Sequence, residues 1–286
     1  MGYFFTTRSG SILNVEDTGV SDSGSNSGSP VLALHGIGGG AYFFAGVAKR
    51  LSAGEIGGNP SVSRRVISID LPGTGRSTSV PTDFTLESWI ADIGDLVRDK
   101  IGEPVILLGH SLGTILALKA WETWPEQIRG FVFTCGLPKA RPNINERLSA
   151  RAEAITQDIA ANRGLTNWGP KVSPGVFSKK SLAEQPEMVG LFERLFEEQR
   201  GPEYVRCIEN LLAADMNAVV STVTVPCIAI AGQDDSYAPP ASVEEFVAKL
   251  GVTCPVEVLD GCAHMAFLEN PEAYAATVER FLKTLP

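Results

Sequence analysis

Short, almost wholly apolar runs alternate along this chain with longer stretches in which apolar residues recur every three or four positions. The short runs are Val31-Leu32-Ala33-Leu34, Val66-Ile67-Ser68-Ile69, Pro104-Val105-Ile106-Leu107-Leu108, Phe131-Val132-Phe133, Cys227-Ile228-Ala229-Ile230 and Val256-Glu257-Val258-Leu259. Their length and β-branched content predict strands, and their continuous apolarity predicts burial on both faces. The longer stretches predict helices. Phe44, Val47, Ala48 and Leu51 share one helical face, as do Trp89, Ile90, Ile93, Leu96 and Val97 within a helix spanning Leu86 to Ile101, with Thr85 as its N-cap. A final helix is expected from Pro271 to Leu285. Strands alternating with helices in this way predict an α/β fold around a mostly parallel sheet.

The N-terminus reads differently. Tyr3–Thr7 and Ser11–Val15 flank Arg8-Ser9-Gly10, which predicts a hairpin. Met1 to Thr6 also fits a myristoylation pattern, but an aromatic first strand accounts for the same residues. Val20 to Pro30, rich in Ser and Gly, and Ala53 to Arg64 are expected to be loops. From Leu137 to Val223 strand-like runs give way to charged helical segments, such as Arg147 to Ala160 and Glu187 to Gln199. The expected organisation is therefore a core made of 1–136 and 224–286, with a helical cap inserted over 137–223.

Composition narrows the function. The chain of 286 residues is 44% hydrophobic and 20% charged, which is ordinary for a globular domain. Its formal net charge of -9 argues against nucleic acid and against an anionic membrane surface. The five cysteines are irregularly spaced and include no Cys-x-x-Cys, so neither a disulfide framework nor a zinc site is expected. No leader-like or membrane-length apolar segment is visible, and a cytosolic protein is the expectation.

The chemistry centres on Gly109-His110-Ser111-Leu112-Gly113, set between an apolar strand and the helical run that starts at Thr114. Strand, tight turn and helix is the setting in which Gly-x-Ser-x-Gly forms a nucleophile elbow. A serine hydroxyl needs a base. Of the three histidines, His110 lies inside the elbow with its side chain expected to point away, and His35 is expected to shape the glycine-rich loop that follows it. His264, after the last strand, remains. The carboxylate that fixes the base falls to Asp234 or Asp235, after the Cys227 strand, because Thr134-Cys135-Gly136 offers none. For the oxyanion, the Leu112 N–H is one donor, and the Ile37 N–H, with Gly38 as second choice, is the other. The loop Gly36-Ile37-Gly38-Gly39-Gly40 lacks the Gly-Lys-Ser/Thr ending of a phosphate loop.

Taken together these pieces resemble the α/β-hydrolase fold family. The resemblance covers nearly the whole chain. It includes His35-Gly36, Asp70-Leu71-Pro72-Gly73-Thr74-Gly75-Arg76-Ser77, the elbow, Gly232-x-x-Asp235, and Gly261-x-x-His264 followed by Leu268-Glu269-Asn270-Pro271-Glu272. It implies about eight mostly parallel strands covered by helices, a cap over the site, and Asp235 rather than Asp234 as the acid. Leu182-Ala183-Glu184-Gln185-Pro186-Glu187-Met188-Val189, Gly201-Pro202-Glu203-Tyr204-Val205 and Ala213-Ala214-Asp215-Met216 are similar to 3-oxoadipate enol-lactonases and related lactone and ester hydrolases.

The expectation is a serine hydrolase of carboxylic esters, lactones foremost, working through an acyl-enzyme on Ser111 with His264 and Asp235. No cofactor and no metal are expected. Trp168, Phe177, Met188, Phe192 and Phe196 are candidates for the pocket wall, with packing inside the cap as the competing role for each. The expected partner is a small-molecule ester or lactone, and a homodimer is left open. The same three residues also serve C–C bond hydrolases, perhydrolases and acyltransferases, and a ligand receptor on a hydrolase scaffold is the non-enzyme alternative. A serine at position 111 argues against haloalkane dehalogenation and epoxide hydrolysis, which in this fold use an aspartate.

Overall fold

Eight strands form one sheet among the described residues, which in this computed structural model are 1–19, 28–53, 64–79 and 84–285. They are β1 (Gly2–Thr6), β2 (Ile12–Asp17), β3 (Val31–Leu34), β4 (Val66–Ile69), β5 (Val105–His110), β6 (Ile128–Thr134), β7 (Cys227–Gly232) and β8 (Val256–Leu259), in the spatial order β1-β2-β4-β3-β5-β6-β7-β8. The β1–β2 and β2–β4 pairs are antiparallel, and all pairs from β4 to β8 are parallel. The mostly parallel α/β sheet anticipated from the alternating pattern is therefore present. Every residue of β3, β4, β5 and β7 is buried, which requires cover on both faces because successive side chains point to opposite sides. The anticipated loops over 20–30 and 53–64 lie for the most part outside the described residues.

The helices are α1 (Ala45–Ala53), α2 (Leu86–Asp95), α3 (Leu112–Thr123), α4 (Pro142–Ala160), α5 (Gly169–Val176), α6 (Lys179–Glu184), α7 (Pro186–Glu197), α8 (Gly201–Ala213), α9 (Asn217–Val220), α10 (Pro240–Val247), α11 (Ala266–Glu269) and α12 (Pro271–Leu282). Thr85 caps α2 through its side chain, accepting the Ser88 N–H at 3.2 Å. The helix expected through Ile101 changes character at its end. Leu96–Ile101 widens to π-helical turns and closes where the Gly102 N–H, at φ 76°, reaches the Val97 carbonyl at 2.8 Å.

Between β6 and β7 the chain makes only helices, α4 to α9. Pro142, Pro170, Pro186 and Pro202 open α4, α5, α7 and α8, where a missing N–H costs nothing. Helix α4 packs on α8 and α5 on α7. At the core end of this arrangement, Asp70 binds the loops after β3 and β4 together. It is buried and accepts from Asn14 Nδ2 (3.0 Å), the Ala41 N–H (2.7 Å) and the Arg76 N–H (2.8 Å). That clamp sets the position of the glycine-rich loop that precedes Ala41. Among the described residues no helix is long and apolar enough to cross a membrane.

Candidate active site

Ser111 sits between β5 and α3 at φ 54° and ψ −114°, a conformation that L residues rarely adopt. The glycines around it explain how the chain tolerates so tight a turn. A Cβ on Gly113 would collide with the Leu34 carbonyl oxygen, and one on Gly109 with the backbone of Gly113. The elbow is thus pressed against β3 on one side and its own helix on the other. The Ser111 N–H is held by the Thr134 carbonyl at 3.0 Å.

His264 lies on the loop between β8 and α11, and its Nδ1 is 2.9 Å from Asp235 Oδ2. The Asp235 side chain is fully buried, and its Oδ1 accepts the Tyr237 N–H (2.7 Å) and the Ala238 N–H (3.2 Å). Asp234, its neighbour, is exposed. Of the two aspartates the sequence offers, it is Asp235 that meets the histidine. With Nδ1 engaged, Nε2 of His264 is the nitrogen left for chemistry. Ser111 and His264 line one cavity of about 80 Å³, together with Ile37. Neither the Ile37 N–H nor the Leu112 N–H donates to a protein acceptor among the described residues. The Ile37 loop lies close to the elbow: a Cβ on Gly36 would be 2.9 Å from Ser111 Cβ.

His110 departs from the expectation that its ring points away from the site. The ring is buried 4.9 Å from that of His264, centroid to centroid, and its Nε2 donates to the His264 carbonyl at 3.0 Å. Residue 110 alternates with Ser111 across the strand end, which turns the ring under the neighbouring loop rather than into solvent. Burial, and then the proximity of His264, hold His110 well below the usual histidine range. His35 does organise its loop: Nδ1 lies 2.7 Å from the Gly36 carbonyl and Nε2 accepts the Leu71 N–H at 3.0 Å. Burial lowers its pKa as well.

A further contact was invisible in the sequence. Glu269 is buried, and its two carboxylate oxygens accept the Ala263 N–H (2.7 Å) and the Ser178 N–H (2.8 Å). The first holds the residue before His264, and the second lies in the helical segment between β6 and β7. The Met265 N–H adds a bond to the Val176 carbonyl at 3.2 Å.

Five side chains were candidates for the pocket wall, and the structure divides them. Phe192 and Phe196 line the cavity. Trp168, Phe177 and Met188 do not, so for these three the packing role holds instead. Trp168 donates to Asp158 Oδ2 at 2.8 Å and carries Lys171 over its ring. Phe177 packs edge-on behind Phe192, with centroids 5.0 Å apart. Met188 is partly buried against the hydrophobic core. The rest of the wall includes Ile144, Leu148, Val172 and Leu211, with the polar side chains of Arg151, Tyr204 and Tyr237 among them. Among the described residues no His, Cys, Asp or Glu cluster is arranged to hold a metal ion.

The sequence profile of the alpha/beta hydrolase family matches residues 31–277. The chain belongs to that family. Among relatives of this hydrolase is the pimeloyl-[acyl-carrier protein] methyl ester esterase of Neisseria meningitidis serogroup B, 25% identical over 88% of this chain and 92% of the relative. The proline iminopeptidase of Saccharolobus solfataricus is 23% identical over 99% of this chain and 97% of the relative. In three dimensions the hydrolase superposes on the enol-lactonase from Burkholderia xenovorans LB400 with a TM-score of 0.83 at 18% identity, covering 98% of this chain and 100% of the other. That likeness shows the shared fold.

Proposed function

We propose that this hydrolase cleaves carboxylic esters, cyclic esters among them, through an acyl-enzyme on Ser111. The observation that carries the reading is the buried Asp235–His264 pair, 2.9 Å apart, whose histidine lines one cavity with Ser111. Asp235 fixes the Nδ1–H tautomer, so Nε2 is free to take the serine proton as Oγ attacks the carbonyl. The N–H groups of Ile37 and Leu112 receive the oxyanion. The protonated His264 then hands its proton to the leaving alcohol, and in the second half it activates water to release the acid. In a lactone the leaving alcohol stays attached, and a single hydroxy acid is the product.

The relative that is a methyl ester esterase supports ester chemistry. The helices of 137–223 act in this reading as a cap. The cavity of about 80 Å³ falls well short of the roughly 300–1,000 Å³ typical of ligand sites, so these helices must shift to admit more than a compact substrate. The test is hydrolysis of a panel of p-nitrophenyl esters and simple lactones by the wild type and Ser111→Ala. The expected result is turnover by the wild type, reduced by several orders of magnitude in Ser111→Ala. A wild type inactive across the whole panel would remove the ester reading.

A further inference from the structure

We propose that Arg151, flanked by Tyr204 and Tyr237, is an anion cradle that selects substrates carrying a carboxylate away from the scissile ester. This inference rests on the ester reading of Ser111 and adds the class of substrate.

Arg151 projects from α4 into the wall of the cavity that holds Ser111 and His264. Its Nη1 donates to Tyr204 Oη at 3.2 Å and its Nη2 to Tyr237 Oη at 2.8 Å. No carboxylate lies within 4 Å of it among the described residues, which is unusual for a guanidinium withdrawn from solvent. The chain is acidic overall, with 33 Asp and Glu against 24 Lys and Arg, so an arginine left without an acid is not for want of acids.

The hydrogen-bond chemistry says what is missing. A guanidinium carries five N–H donors and no acceptor, and the two phenols occupy two of them. Each phenol oxygen accepts from Arg151, so each O–H remains available to donate. Burial raises the pKa of Tyr204 and keeps that hydroxyl protonated. Three side chains bearing donors therefore meet in one part of the wall, with no carboxylate to accept from them among the described residues. A carboxylate matches that set, because its two oxygens accept a forked guanidinium pair and still have lone pairs for two hydroxyls.

Placement favours a group on the substrate over a free ion. Tyr237 joins the cradle to the catalytic residues directly. Its N–H donates to Asp235 Oδ1, its ring lies 4.7 Å from that of His264, and its hydroxyl meets Arg151. The anion would sit about one tyrosine ring's length from the base, a separation spanned by a short acyl chain. Arg147, stacked on the same ring at 4.4 Å and likewise without a carboxylate partner among the described residues, adds positive charge at this end.

The experiment compares two p-nitrophenyl esters of matched length, mono-p-nitrophenyl glutarate and its neutral methyl-capped counterpart, p-nitrophenyl methyl glutarate. The reading is the ratio of their kcat/KM values. The wild type should favour the anionic ester at least tenfold, mostly through KM, and Arg151→Met should bring the ratio to about one. Arg151→Lys, which keeps the charge without the fork, should retain a ratio above one. Purely structural support by Arg151 would lower both substrates together and leave the ratio unmoved, which would overturn the proposal. So would a wild type that hydrolyses both esters equally, with the ester reading intact. If neither ester is turned over, binding of glutarate itself by calorimetry decides. Binding weakened tenfold or more by Arg151→Met supports the cradle, and no binding overturns it.

Discussion

Two buried histidines should make this protein lose stability in mild acid. His110 donates from Nε2 to the His264 carbonyl, and its buried Nδ1 has no partner among the described residues. A proton on Nδ1 would create a charged N–H with nothing to accept it. His35 receives the Leu71 N–H on Nε2, so protonation there would set one N–H against another. Burial first, and for His110 then the proximity of His264, pull both groups below their ordinary value. In the unfolded chain each returns to a pKa of about 6.5. Below that pH the unfolded state takes up protons that the folded state refuses, so this part of the stability is complete above pH 6.5 and is lost as pH falls. Between pH 7 and pH 5, a histidine that stays neutral in the fold removes about 2 kcal/mol, which is the full contribution expected of His110, and His35 acts in the same direction. Urea unfolding at the two pH values measures the total. Repeating it with His110→Gln cancels the contribution of the carboxylates, and the variant should lose about 2 kcal/mol less than the wild type over the same interval. An identical pH dependence in variant and wild type would refute the assignment of His110 as a neutral, buried group.

Other outcomes follow from the contacts around the site. Asp235→Asn should lower kcat by about 10⁴-fold with little change in fold, because the amide would turn its N–H₂ toward His264 Nδ1 and impose the wrong tautomer; steady-state kinetics on the best ester of the panel checks this. Glu269→Ala strips the acceptor from two N–H groups at once and should cost about 2–5 kcal/mol in chemical denaturation. Glu269→Gln, which keeps one acceptor oxygen, should cost less. Gly113→Ala drives a Cβ into the Leu34 carbonyl and should destabilise by about 3 kcal/mol or more, visible as a lowered thermal midpoint.

The parts of the fold that the sequence revealed are those where local pattern and tertiary environment coincide. Strands β3, β4 and β5 are buried on both faces, and uninterrupted apolar runs express that directly. The elbow was legible because its two glycines answer to backbone collisions within a few residues and with one adjacent strand. The pair Asp234-Asp235 could be located but not resolved from the residues alone. What separates them is that one side chain is fully buried and the other exposed, a matter of how the loop after β7 turns. The pocket wall was harder still. Phe192 and Phe196 stand one turn apart on α7 and face the cavity, while Phe177 has the same chemistry and packs behind them. Helical periodicity reports that a side chain is turned inward, not which of two apolar spaces it enters. Arg151 is equally silent in sequence, since α4 is rich in charge and only its docking against α8 and the loop after β7 brings this guanidinium to two tyrosines.

Glu269 gives the molecule a property that none of Ser111, His264 and Asp235 could supply alone. One carboxylate holds both the backbone just before His264 and the start of the helix that Ser178 caps. In the proposed reaction, lifting the helices to let a substrate in would pull on the same side chain that holds the backbone before His264. Helices and base would then move as two ends of one lever with Glu269 as its pivot. In that reaction, closure would restore the support of the base at the same moment as it shelters the bound ester.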